Sequence, residues 1–220
     1  ISDYDKKYYR QWMHEIPPMI HLGRQTILDV HHNIVPLTAE KLPNAHQLLE
    51  SRCATDDQQA HYVLSPMDMI LHSAVHLFSE GELDKGLRDL TDLDLLFKHY
   101  FDDPSLDHCR SEQLFARAQQ LNIETSLYYA LRYCHQVLKT ELPTQCLMQS
   151  PNNPIKLLIL DYCYQHTLVP YHSSCQGVNF ELSCFILYLR SHIKKMPLRL
   201  LLPHLSIKWW QRAKKLFVVT

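Results

Sequence analysis

The chain has 220 residues, of which 46% are hydrophobic and 20% charged, and its 22 basic and 23 acidic side chains leave a net charge of −1. That is enough apolar sequence to bury a core, and it excludes a disordered acidic or basic tail. Only four glycines are present, Gly23, Gly81, Gly86 and Gly177; this excludes a Rossmann fingerprint or a P-loop, which need several set close together, and no apolar run reaches the roughly 18 residues of a membrane-spanning helix.

From the N-terminus, residues 8–35 read as an antiparallel hairpin. The segment Trp12-Met13-His14-Glu15-Ile16 leads through Pro17-Pro18 to Met19-Ile20-His21-Leu22, Gly23-Arg24 supplies a turn, and Thr26 to Val35 is rich in β-branched residues up to Pro36. Alternation along this second limb puts Asp29, His31 and Asn33 on one face. Thr38 is placed to cap a short helix through Leu42, and Pro43 to start another to Cys53. A polar loop follows at 55–59, and Tyr62-Val63-Leu64 is at most a short strand. Ser65-Pro66-Met67-Asp68 is a strong helix start, with Ser at N-cap, Pro at N1 and an acid at N3, and that helix is expected to run to Glu80 and stop at Gly81. Further helices are predicted over 84–101, 111–122, 124–139, 154–166 and 180–195. A basic helical stretch from Leu198 to Phe217 is interrupted near Pro203. The expected fold is mainly α with a small N-terminal antiparallel β-hairpin, an α+β arrangement: residues 1–36 carry the hairpin and 37–220 form a multi-helix domain with basic C-terminal helices.

Seven scattered cysteines, none spaced C-x-x-C, read as free and mostly buried thiols of a reducing cytosol. Fifteen histidines are unusual for this length. His72 and His76 sit i, i+4 on the helix after Ser65, near roughly 140° and 180° from Met67 at about 100° per residue, on a face away from the apolar stripe of Met67, Ile70, Leu71, Ala74 and Phe78. Two histidines so spaced can share a metal, but Ser73 follows His72, so the pattern is not H-E-x-x-H and carries no built-in base.

Asp92-x-Asp94 lies among leucines that recur every three or four residues, a helical period. On a helix the two carboxylates diverge by about 160°, unlike a strand-borne D-x-D. Asp89 and Asp92 share a side instead, with Arg88 or a neighbouring histidine as a partner. Asp29-x-His31 on the hairpin is the stronger catalytic candidate, since a carboxylate and an imidazole on one strand face can hold a divalent metal or accept a proton. After Glu181 there are eight basic residues and no acid: Arg190, Lys194, Lys195, Arg199, Lys208, Arg212, Lys214 and Lys215. This leaves 14 of the 22 basic residues against all 23 acidic ones. Interleaved with leucine and tryptophan, the basic end reads as a candidate for an anionic surface, whether nucleotide, nucleic acid or lipid headgroup.

Four stretches in order resemble one family. They are Leu28-Asp29-Val30-His31-His32 with the Pro17-Pro18 hairpin, Leu64 to His76, Leu87-Arg88-Asp89-Leu90-Thr91-Asp92-Leu93, and Tyr188 to Leu202 with Arg190-Ser191-His192 and Met196-Pro197-Leu198. Together they resemble the uncharacterised nucleotidyltransferases, a branch of the polymerase-beta-like superfamily. The resemblance implies nucleotidyl transfer from a nucleoside triphosphate to an unknown acceptor, with Mg²⁺ in the intact protein. Asp29 would be the third metal-site carboxylate or the base, and His31 would orient it; His72, His76, Arg88, Asp89 and Asp92 would face the substrates. Such proteins carry a Gly-Ser turn and a strand-borne D-x-D before the hairpin. The chain is therefore expected to be a C-terminal portion, inactive and holding no cofactor alone, and cytoplasmic or peripheral at a membrane. The alternatives are a metal-dependent hydrolase built on the helical His and Asp residues, and a non-catalytic helical module docking through its basic end.

Overall fold

The computed structural model describes residues 3–55, 61–79, 81, 83–147, 153–203 and 206. The fold is mainly α with two small antiparallel ribbons. A first helix, α1 (Asp3–Gln11), precedes strands β1 (Met19–Ile20) and β2 (Ile27–Leu28). Helix α2 (Ala45–Glu50) and strands β3 (Cys53–Ala54) and β4 (Tyr62–Val63) come next. Then follow α3 (Pro66–Ser79), α4 (Gly86–Tyr100), α5 (Asp107–Gln120), α6 (Glu124–Tyr133), α7 (Thr144–Leu147), α8 (Pro154–Thr167) and α9 (Phe180–Lys195).

The N-terminal hairpin is shorter than the alternation predicts. Residues 8–11 belong to α1, where Tyr4, Tyr8 and Trp12 recur every four residues and meet edge-on, with Tyr8 and Trp12 5.9 Å apart. That spacing fits a helix and not a strand. Beyond α1, Met19 pairs with Leu28, Ile20 with Ile27, and Glu15 with His31. Four steps separate Glu15 from Met19 but only three separate Leu28 from His31, so the Pro17-Pro18 limb carries one extra residue, as in a bulge. Neither proline can donate to the ladder, which places the bulge there. In the turn, the left-handed residue is Gln25 (φ 56°), not Gly23. Asn33 leaves the polar face of the second limb. Its side chain turns inward and donates to the carbonyl of Pro43 at 3.0 Å.

Thr38 caps no helix of its own. Its hydroxyl donates to the carbonyl of Lys195 (2.7 Å), and the Glu40 amide donates to that of Lys194 (3.2 Å), so residues 38–40 close the C-terminus of α9. The 43–53 helix is cut to α2, capped by Asn44, and Tyr62-Val63 forms a second ribbon with Cys53-Ala54. Ser65 caps α3 as predicted, accepting from the Asp68 amide at 3.2 Å. α5 ends in a Schellman motif: Asn122 is left-handed (φ 58°), the Ile123 amide reaches the Ala118 carbonyl and the Asn122 amide that of Gln119.

The core lies where α3 packs on α4 and α6. Its centre is aromatic: the Phe78 ring stands 5.8, 5.7 and 5.3 Å from those of Tyr129, Tyr133 and Tyr164, all buried. Arg132 and Tyr133 of α6 both bond Asp161 of α8. Arg190 points into this interior and not toward an external anion: it donates to the Phe78 carbonyl (3.1 Å) and to Tyr164 Oη (3.2 Å), and lies over Tyr129. Of the other C-terminal cations, Lys194 is half-buried and Arg199 exposed, while Lys208, Arg212, Lys214 and Lys215 lie outside the described residues. The cysteines are free; Cys134, Cys146 and Cys163 are buried, but Cys53, Cys109 and Cys175 are exposed. Among the described residues no helix is long and apolar enough to cross a membrane.

Candidate functional site

A cavity of about 920 Å³ opens between the first ribbon, α3, α4 and the end of α9. The ribbon contributes His14 and Glu15 from one limb and Asp29 and His31 from the other. Backbone bonds hold these limbs in register: the Ile16 amide donates to Val30 (3.0 Å) and the His32 amide to His14 (2.8 Å). Glu15 Oε2 and His31 Nε2 stand 3.3 Å apart, and the His14 and His31 rings meet edge-on with centres 5.0 Å apart.

α3 supplies His72 and His76, whose i, i+4 spacing brings their rings to 6.4 Å at a 28° angle. The apolar face of α3 (Ile70, Leu71, Ala74, Phe78) is fully committed to the core, which leaves this histidine face to line the cavity. Burial, then the neighbouring His76 and His31, pushes the His72 imidazole below its ordinary value, so it is neutral near pH 7. α4 supplies Arg88 and Asp89, bonded to each other at 3.1 and 2.7 Å.

Six of the side chains singled out in the sequence, Asp29, His31, His72, His76, Arg88 and Asp89, thus line one cavity. Asp92 does not. It is exposed on the same side of α4 as Asp89 but about 4.5 Å further along the helix axis, and is absent from the cavity wall. Asp94 points the other way, buried against Thr140 Oγ1 and Lys98 Nζ, both at 2.7 Å, so the two aspartates diverge as the helical period requires. Sequence reasoning missed His14 and Glu15. The turn register of Met19–Leu28 and Ile20–Ile27, carried on without a bulge, would set Glu15 opposite His32; the extra residue in the Pro17-Pro18 limb brings it to His31 instead. Sequence reasoning also missed Lys85 and His192, and took Lys195 for a surface cation although it lines the cavity. In all, five of the fifteen histidines converge here, interleaved with Lys85, Arg88 and Lys195, so the wall is rich in groups that attract or hydrogen-bond an anion.

Among the described residues, the group of three or more metal-type donors that lie close together is His14, Glu15 and His31. Asp29 is outside it, as are His72, His76 and Asp89. The hydrolase alternative, built on helical His and Asp residues, therefore has no assembled donor set on α3 and α4 among the described residues.

No curated protein and no solved structure matches the chain. A family profile described as "Uncharacterised nucleotidyltransferase" matches residues 2–139, which takes in the first ribbon, α3 and α4 and stops before α9. Nucleotidyl transfer from a nucleoside triphosphate, generally with a divalent metal, is the role that this description carries. With the match covering well over half of its length, the chain belongs to the uncharacterised nucleotidyltransferase family.

Proposed function

We propose that the cavity is the nucleotide site of this transfer reaction. An acceptor hydroxyl attacks the α-phosphorus of a nucleoside triphosphate, a P–O bond forms, pyrophosphate leaves and a base takes the hydroxyl proton. The observation that carries the reading is the convergence of Asp29, His31, His72, His76, Arg88 and Asp89 on one cavity in a chain of this family. Arg88, with Lys85 and Lys195, supplies positive charge for the triphosphate. Asp29 is the base, and His31 orients the acceptor beside it. Neutral His72 donates a hydrogen bond and not a charge. Tyr8 and Trp12, also in the wall, offer aromatic surface to the nucleobase.

Mg²⁺, the ion expected from the resemblance, takes a near-octahedral shell of oxygens. The assembled donor set of two imidazoles and one carboxylate does not fit it.

The test is equilibrium binding of the four common nucleoside triphosphates to the chain. Saturable binding, weakened by Arg88→Ala and by Lys195→Ala with unchanged circular dichroism, is expected. No saturable binding, or binding indifferent to both substitutions, overturns the reading.

We also infer that the β1–β2 ribbon within residues 1–36 is the margin of a larger catalytic sheet and that 37–220 belong to the helical domain beside it. The ribbon exposes Ile20 (58%), Leu22 (89%) and Ile27 (67%), and a lone two-stranded ribbon is marginal in water. A single strand-borne carboxylate does not organise a two-metal displacement, so this chain alone is expected to bind nucleotide without transferring it. Mg²⁺-dependent transfer by the 220-residue chain, abolished by Asp29→Asn, contradicts that expectation.

A further inference from the structure

The donors at the ribbon differ in kind from those expected of a Mg²⁺ site. A ring nitrogen of His14, a carboxylate oxygen of Glu15 and a ring nitrogen of His31 all lie within 4.8 Å of one another. We propose that these three side chains bind one divalent transition-metal ion of the zinc class, with an open coordination position facing the cavity.

The chemistry of the donors sets the class of ion. Two imidazoles and one carboxylate suit zinc and its first-row neighbours, whereas Mg²⁺ takes oxygen ligands and keeps much of its water. Three protein ligands with a free fourth position are the pattern of a reactive site, since a structural zinc site is closed by four. The spacing is also suitable. Metal–ligand bonds of about 2.1 Å in a tetrahedron put neighbouring ligand atoms roughly 3.4 Å apart, and His31 Nε2 already stands 3.3 Å from Glu15 Oε2. The site is anchored by backbone and not by loose surface side chains. His14 and Glu15 are consecutive on one limb, His31 is the paired residue on the other, and the His14 carbonyl accepts from the amides of both His32 and Asn33. Glu15 is largely enclosed, its side chain 19% exposed, while His31, at 41%, leaves one side of the group accessible. Asp29 and His72 share the cavity wall with this group, so a water or phosphate oxygen on the ion would sit among the side chains of the nucleotide reading. The metal site does not depend on that reading: the two share His31, but His14 and Glu15 have no part in the nucleotide reading, and Arg88 and Lys195 have none in the metal site.

The test is titration of the metal-free full chain with Co²⁺, followed by visible absorption, and then displacement by Zn²⁺. The expected result is one equivalent bound, with the ligand-field bands of a nitrogen–oxygen site and no thiolate charge-transfer band. That spectrum separates the site from the exposed thiols of Cys53, Cys109 and Cys175. The variant Cys53→Ser/Cys109→Ser/Cys175→Ser should retain the spectrum. Glu15→Gln and His31→Ala should each weaken metal binding by at least about tenfold, and Glu15→Gln, which has no part in the nucleotide reading, should leave nucleotide binding measurable. Glu15→Gln fills nearly the same volume, so it keeps the test valid if His31→Ala fails to fold. A spectrum unchanged in Glu15→Gln, a thiolate-dominated spectrum lost in the triple cysteine variant, or no saturable binding of Co²⁺ overturns the proposal.

Discussion

Arg117 holds Asp68 in a two-pronged grip inside the protein. Nε donates to Oδ1 at 2.8 Å and Nη2 to Oδ2 at 2.9 Å, with the Asp68 side chain fully buried. Arg117 Nη2 also reaches the Gln47 carbonyl and Ser51 Oγ, and the Ser51 hydroxyl bonds Asp68, so α2, α3 and α5 are tied at one point. Burial alone would raise the Asp68 carboxyl, but the bonds from Arg117 and Ser51 outweigh it and hold the group below its ordinary 3.8.

Arg117→Met leaves a buried carboxylate unpaired and is expected to cost about 3–5 kcal/mol. Arg117→Lys should recover only part, because an ammonium cannot reproduce the planar fork. The folded-state value lies below the unfolded one, so the stabilisation is complete above about pH 3.8 and is lost as the pH falls through the lower folded-state value. Urea denaturation at neutral pH and at pH 3 measures both effects; equal losses in the variant and parent on acidification contradict the assignment.

Asp94 and Asp92 are expected to behave oppositely. Thr140→Val removes the hydroxyl that donates to buried Asp94 and should cost about 1–3 kcal/mol. Asp92→Ala, on the exposed arc, should stay within about 0.5 kcal/mol of the parent and leave nucleotide binding unchanged. Chemical denaturation and a binding titration on both variants test the pair, and weakened nucleotide binding in Asp92→Ala would return that residue to the site.

Lys194 gives a pH signature of the same sign as Asp68 in a more alkaline window, although here the charged form is the one that burial disfavours. Burial, then Arg190 and Lys156, lowers its ammonium from 10.5 to about 8, with Glu40 opposing. The unfolded chain therefore binds more protons between about pH 8 and 10.5, and stability rises with pH through that window. Lys194→Met should raise Tm at pH 7, with a gain that shrinks toward pH 10. A gain independent of pH, followed by thermal melts in the two buffers, rules this out.

Gly81 allows a close approach and is not a left-handed cap. No described glycine has positive φ, but a Cβ on Gly81 would lie 2.5 Å from Ser191 Oγ on α9. Gly81→Ala should cost about 1–3 kcal/mol through this overlap. Ser191→Ala, which removes the oxygen, should restore most of it in the double variant. A double variant no more stable than Gly81→Ala places the cost elsewhere.

What the sequence alone determined was largely what short-range chemistry controls. The Ser65-Pro66 start of α3, the exact span 180–195 of α9 and the divergence of Asp92 and Asp94 all follow from capping and the 3.6-residue period. So does the shared face of His72 and His76. Where local signals were mixed, the reading failed. Residues 8–11 joined a helix, Thr38 capped a distant one, and the two-residue strands β3 and β4 were too short to announce themselves as a ribbon.

Only the tertiary structure decided that Glu15 faces His31, that Lys195 joins the cavity wall while Arg190 turns into the core, and that Asp68 needs Arg117. These partners sit on different elements, some of them more than a hundred positions apart. Which of them meet depends on how α3, α4, α6 and α9 settle around the Phe78–Tyr133–Tyr164 core. Burial of apolar surface drives that settling without regard to order along the chain, so the residues it brings together cannot be read from spacing.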